Sequence, residues 1–121
     1  MKTLFFDVKN CKFEIIETEK PDLQMFYDKI DCDFIDIAVR KIDGKEFNIV
    51  LDDEGLLKEY PIVSAINSKY DPMLVGNLMF FSGKTTPDGE LVGLTEEEID
   101  HILRSVRVMS LGRVVIMNCE Y

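Results

Sequence analysis

Carboxylates are the side chains crowded closely enough in this sequence to suggest chemistry. Asp28, Asp31, Asp33 and Asp36 fall within nine residues, and Asp52, Asp53 and Glu54 are consecutive. Clustered carboxylates can hold magnesium or calcium, or support two-metal phosphoryl transfer. A calcium loop needs acids at alternating positions, a central glycine and a closing glutamate. Asp31-Cys32-Asp33 fits only its start, because Phe34 stands where a further ligand belongs. Asp52-Asp53-Glu54-Gly55 has no such loop around it. Both clusters read first as solvated acidic surface. The sharper expectation is a contact surface for a basic partner, made of Asp28, Asp31, Asp33, Asp36, Asp52, Asp53 and Glu54, with no catalytic residue, cofactor or metal.

Other chemistry finds less support. His101 is the only histidine, four residues after Glu97 and three after Glu98. A carboxylate–histidine pair can be half of a metal site, but a second histidine does not exist. A surface ion pair on an exposed helix face is expected instead. Cys11, Cys32 and Cys119 with His101 could supply four zinc ligands, yet no short-spaced pair nucleates a site. Free cysteines in such settings behave as small buried hydrophobes. There is no G-x-S-x-G elbow. Ser82-Gly83-Lys84-Thr85 ends like a phosphate-binding loop, but residue 78 is Leu where that loop requires Gly.

Charge bounds the partners. Residues 14–54 hold thirteen acids against five bases, so they carry −8 of the net charge of −9. A field of one sign repels nucleic acid and acidic membranes, and it attracts a basic protein surface. No cluster of Lys and Arg offers direct nucleic-acid binding. No apolar run approaches a membrane span, and the first residues do not read as a signal peptide. A widely spaced, odd set of three cysteines is not a secreted disulfide framework, so a cytoplasmic setting is expected.

Elements must position these residues. With 121 residues the chain is expected to form one domain over 1–121. Residues 2–8 and 11–17 alternate as strands, with Lys9-Asn10 as a turn. Pro21 suits a helix start, and Leu23, Phe26, Tyr27 and Ile30 follow at helical spacing. Ile35, Ile37 and Val39, then Asp43-Gly44, then Phe47, Ile49 and Leu51, predict a hairpin. Pro61 is expected to open a short helix through Ser68. Residues 74–81 are apolar on both parities, as in a central strand. Thr95-Glu96-Glu97-Glu98 is a capping box, followed by a buried stripe of Ile99, Ile102, Leu103 and Val106. Arg104 and Arg107 suit the negative end of that helix. Residues 113–120 are expected as a last strand. The predicted class is α+β: a single, mostly antiparallel sheet of about five to seven strands with two or three helices packed on it.

Three stretches carry a resemblance: residues 48–58 (NIVLDDEGLLK), 74–81 (LVGNLMFF) and 93–99 (GLTEEEI). Together they resemble a family of small phage and mobile-element proteins known only as a domain of unknown function. The resemblance spans about residues 34–106 and implies no catalytic residue. It implies a setting in which small proteins modulate host machinery. The leading expectation is a non-enzymatic inhibitor of a host nucleic-acid-binding defence enzyme, of anti-CRISPR or anti-restriction type, acting through an acidic surface that could mimic DNA. Two alternatives stand beside it. One is an assembly subunit, a homodimer through an edge strand, whose acidity confers only solubility. The other is a metal-dependent enzyme on the Asp28–Asp36 cluster.

Overall fold

The alternating N-terminal segments pair as expected. The computed structural model describes residues 1–58 and 61–121, and its first strands are β1 (Lys2–Asp7) and β2 (Lys12–Glu17). They pair antiparallel, from Lys2 opposite Glu17 to Asp7 opposite Lys12. Asp7 closes the turn between them by accepting from the backbone N–H and side chain of Asn10. That hydrogen bonding holds its carboxyl below the usual value.

Helix α1 spans Leu23–Ile30, with Asp22 rather than Pro21 at its start. The Asp22 carboxylate accepts from the N–H of Met25 at 2.8 Å, satisfying a donor the first turn leaves free. Phe26 and Ile30 point at the sheet, where Phe26 meets Phe81 edge-on with centroids 6.0 Å apart.

The predicted hairpin forms as β3 (Ile35–Ile42) and β4 (Lys45–Asp52). Its register runs from Ile35 opposite Asp52 to Ile42 opposite Lys45. Asp43 (φ 48°) and Gly44 (φ 84°) both sit in the left-handed region that a tight hairpin turn requires.

Residues 61–68 do not form a helix. They contain strand β5 (Val63–Ile66), whose last three residues are buried. A short apolar run satisfies either period, and here pairing with neighbouring strands decides it. The expected strand over 74–81 also divides, into β6 (Pro72–Val75) and β7 (Leu78–Ser82). Gly76 at φ 79° turns the chain between them, so the two halves join different sheets.

The capping box is present: Glu98 N–H donates to the Thr95 hydroxyl at 3.1 Å, and Thr95 N–H donates to the Glu98 carboxylate at 3.0 Å. It opens α2 (Glu96–Arg104). This helix ends earlier than the apolar stripe suggested, and Val106 lies in strand β8 (Val106–Val108) instead. Arg107 nonetheless serves the helix end, donating to the Arg104 carbonyl at 2.7 Å. The final segment splits into β9 (Val114–Ile116) and β10 (Cys119–Glu120), turned apart at Asn118 with φ 54°.

Two sheets result instead of one. The larger has the order β10-β3-β4-β7-β1-β2 and the smaller β6-β5-β9-β8. The larger is antiparallel throughout, and in the smaller β5 and β9 run parallel. One face of the larger sheet, with Leu4, Phe6, Ile49 and Phe80, packs on the smaller sheet and α2. The other face, with Phe5, Val50, Met79 and Phe81, packs on α1. Strand β7 lies between β4 and β1 and is buried at every residue, as the two-parity apolar run predicts. The α+β class and a large antiparallel sheet therefore stand.

Candidate functional site: an acidic, apolar-tipped end

Helix α1 must stop where it does. Asp31 takes a left-handed conformation (φ 64°), and its N–H donates back to the Tyr27 carbonyl at 3.0 Å. That cap directs residues 31–34 across the end of the hairpin. There Asp53 N–H donates to the Phe34 carbonyl at 3.0 Å, extending the Ile35–Asp52 pairing by one step. Residues 28–34 and 52–58, far apart in sequence, thus meet at one end of the larger sheet.

Asp52 organises this end. Its side chain is buried, with one oxygen accepting from Glu54 N–H at 2.9 Å and the other 3.4 Å from the Lys58 ammonium. Asp52, then Asp31 and Asp33, raise the Lys58 pKa above its usual value. Asp28, Asp31 and Asp33 line an open hollow of about 440 Å³ with Tyr27, Cys32 and Lys58. Asp31, Asp52 and Lys58 also border a second hollow of about 330 Å³, floored by Val8, Ile30 and Ile62. Asp53 and Glu54 are exposed beside them.

Six of the seven expected contact residues therefore share this end. Asp36 does not. It stands opposite Leu51, on the sheet face away from Asp52, and its carboxylate accepts from the N–H of Ile37. Three apolar contributors were not expected: Phe34 is 59% exposed, Leu56 76% and Leu57 78%. Their signal was Leu56-Leu57 directly after an acidic turn, where no periodic element could bury both. Residues 55–57 form a single 3-10 turn, which holds them at the surface.

Neither Cys32 nor Cys119 is activated as a nucleophile. Burial, then the charge of Asp52, raises the Cys32 thiol, which disfavours the reactive thiolate. Cys119 is fully buried and raised to about 11, chiefly by burial. His101 is not the surface ion pair expected. Its Nε2 lies 2.7 Å from the Ile42 carbonyl and its ring packs near Phe47, so it docks α2 on the sheet. Among the described residues, no three His, Cys, Asp or Glu side chains are placed to hold one metal ion. Also among these residues, no helix is long and apolar enough to cross a membrane.

A family model described as Domain of unknown function (DUF3846) matches residues 1–107 of the chain. The chain belongs to that family. The matched span contains the whole acidic end of this DUF3846 chain. Residues 108–121 lie beyond the match, yet Ile116 of β9 and Cys119 of β10 are buried in the shared core. No curated protein and no solved structure matches the chain.

Proposed function

We propose that this chain is a non-enzymatic binding protein whose acidic end docks on a basic surface of another protein. The observation that supports this most is the convergence of Asp28, Asp31, Asp33, Asp52, Asp53 and Glu54 around exposed Phe34, Leu56 and Leu57. Carboxylates steer a cationic partner and set its orientation. Exposed apolar side chains supply the contact area that charge alone does not. A partner suited to both would present Lys or Arg around apolar groups. Nucleic-acid-binding enzymes carry such basic grooves. The finer reading is a phage or mobile-element protein that inhibits a host defence enzyme of CRISPR or restriction type, and it rests on the sequence resemblance.

The test is titration of the protein with a cationic amphipathic peptide at several salt concentrations. The expected result is binding that weakens steeply as salt rises. A variant carrying Asp28→Lys, Asp31→Asn, Asp33→Lys and Asp53→Lys should lose about tenfold or more in affinity. Asn is used at position 31 because it tolerates the left-handed backbone there. Unchanged affinity in this variant would overturn the docking reading.

A further inference from the structure

The positive charge of the chain also has a place. Between Asp100 and Glu120 the sequence has no acid and three arginines, Arg104, Arg107 and Arg113. The structure gathers them at one corner, on the last turn of α2, on β8 and at the entry to β9. All three are exposed, and among the described residues none pairs with a carboxylate.

The same corner carries exposed apolar groups. Val108 is 72% exposed and Leu111 98%. Leu111 adopts φ 64°, a region that Gly, Asn and Asp favour and Leu rarely enters. The turn holding it is closed by Met109 N–H donating to the Arg113 carbonyl at 2.6 Å. A leucine so exposed on a strained backbone buries almost no apolar area in the isolated fold.

The two charged regions cannot satisfy each other within one molecule. The acidic end abuts β6, where Gly55 packs against Val75 so closely that an added Cβ would lie 3.0 Å from its side chain. The arginine corner includes β8. These are opposite edges of the smaller sheet, β6-β5-β9-β8, three strand spacings or roughly 14 Å apart. One end is acidic with exposed Phe34, Leu56 and Leu57, and the other is cationic with exposed Val108 and Leu111.

We propose that the acidic end of one copy binds the arginine corner of the next, giving head-to-tail self-association. The proposal rests on the docking reading of the acidic end and names a second copy of this chain as an occupant. Because the two surfaces differ, the contact is heterologous. It closes as a reciprocal pair or a larger ring where the geometry returns on itself, and otherwise propagates as an open chain. The net charge of −9 opposes close approach of whole molecules. The complementary patches must therefore act at short range, and added salt should weaken their attraction.

Sedimentation velocity over a concentration series tests this, from roughly 0.01 M to roughly 1 M salt, where the screening length falls from about 30 Å to about 3 Å. The expected result is an average mass that rises with concentration and falls back toward the monomer at high salt. Arg104→Glu with Arg107→Glu and Arg113→Glu should abolish the rise, as should the acidic-end variant described above. An equimolar mixture of the two variants should restore association to a one-to-one pair, because each then offers the one surface that the other lacks. Leu111→Asn, which relieves backbone strain, should weaken association about tenfold or more without unfolding the chain. A monomer at every concentration and salt would overturn self-association, as would a dimer that survives both sets of reversals. Peptide binding separates the two proposals. Peptide capture by a strictly monomeric protein removes self-association and leaves the docking reading, whereas failure of both removes the acidic end as an interface.

Discussion

In the larger sheet, strand β7 is buried at every residue, whereas the smaller sheet ends on β8, where Arg107 and Val108 are exposed. The two sheets share one core through Phe80, Ile49, Ala65 and Ile116. They differ in what their outer strands leave uncovered. The centre of the larger sheet is closed by helix α1 on one face and by the smaller sheet on the other. The smaller sheet has short strands and charged surroundings at both edges. The difference separates buried central residues, which hold the structure, from exposed residues such as Arg107 and Val108, which do not. On the reading proposed above, it is the exposed set that would meet a partner.

The strongest attempt to break that division is Phe80→Ala. Phe80 is fully buried, lies between Ile49 and Leu4 in the sheet and faces the smaller sheet. Removing its ring should cost about 3–5 kcal/mol in chemical denaturation, the usual range for an unfilled aromatic site. Where the variant stays folded, its peptide affinity should match the parent's. A loss of binding in the folded variant would mean that core and interface are coupled.

A smaller effect follows from Cys119, which lies between the two sheets at the end of β10. Burial raises its thiol from 9.0 to about 11. The unfolded chain therefore loses this proton first. The contribution of the neutral thiol is fully present below pH 9.0 and declines as pH rises toward 11. Across that window wild type should lose up to about 2–3 kcal/mol more than Cys119→Ala, whose baseline is lower but whose slope lacks this component. Urea melts at several alkaline pH values would show it. Parallel slopes for the two proteins would place the thiol in contact with water.

Local signals made half of this architecture legible. The β3–β4 hairpin was readable because Asp43-Gly44 fixes both the turn and the register. The capping box at Thr95 was readable because its hydrogen bonds join residues three apart. Strand β5 was not, since Val63-Ser64-Ala65-Ile66 suits a helix or a strand, and only pairing with β6 and β9 decides it. Strand β8 was hidden because Val106 continues the helical spacing after the helix has ended. The acids were visible as charge, but their convergence depends on Asp53 meeting Phe34 across the hairpin end. Asp36 could have been separated in advance. The turn register puts it opposite Leu51, and successive strand residues face opposite sides.

The smallest expected effect on stability sharpens the comparison most. Asp28, Asp33 and Asp53 are exposed, as are Arg104 and Arg113. Exposed charges remote from a cap or a buried partner change stability within about 0.5 kcal/mol on substitution. Asp28 does accept from Gln24, but that pair lies on the surface of α1 and contributes only a few tenths of a kcal/mol. Reversing Asp28, Asp33 and Asp53 to Lys should therefore leave the thermal midpoint almost unmoved, or raise it slightly by relieving self-repulsion in so acidic a chain. Asp52→Asn should behave differently, because that side chain is buried and joins Glu54 N–H to Lys58. It should cost about 1–3 kcal/mol as one end of the hairpin loosens. Exposed-site reversals that destabilise as much as Asp52→Asn would show the acids acting as structural supports. A midpoint unmoved by the first set and lowered by the second would assign Asp52 to building the end and its neighbours to what the end binds.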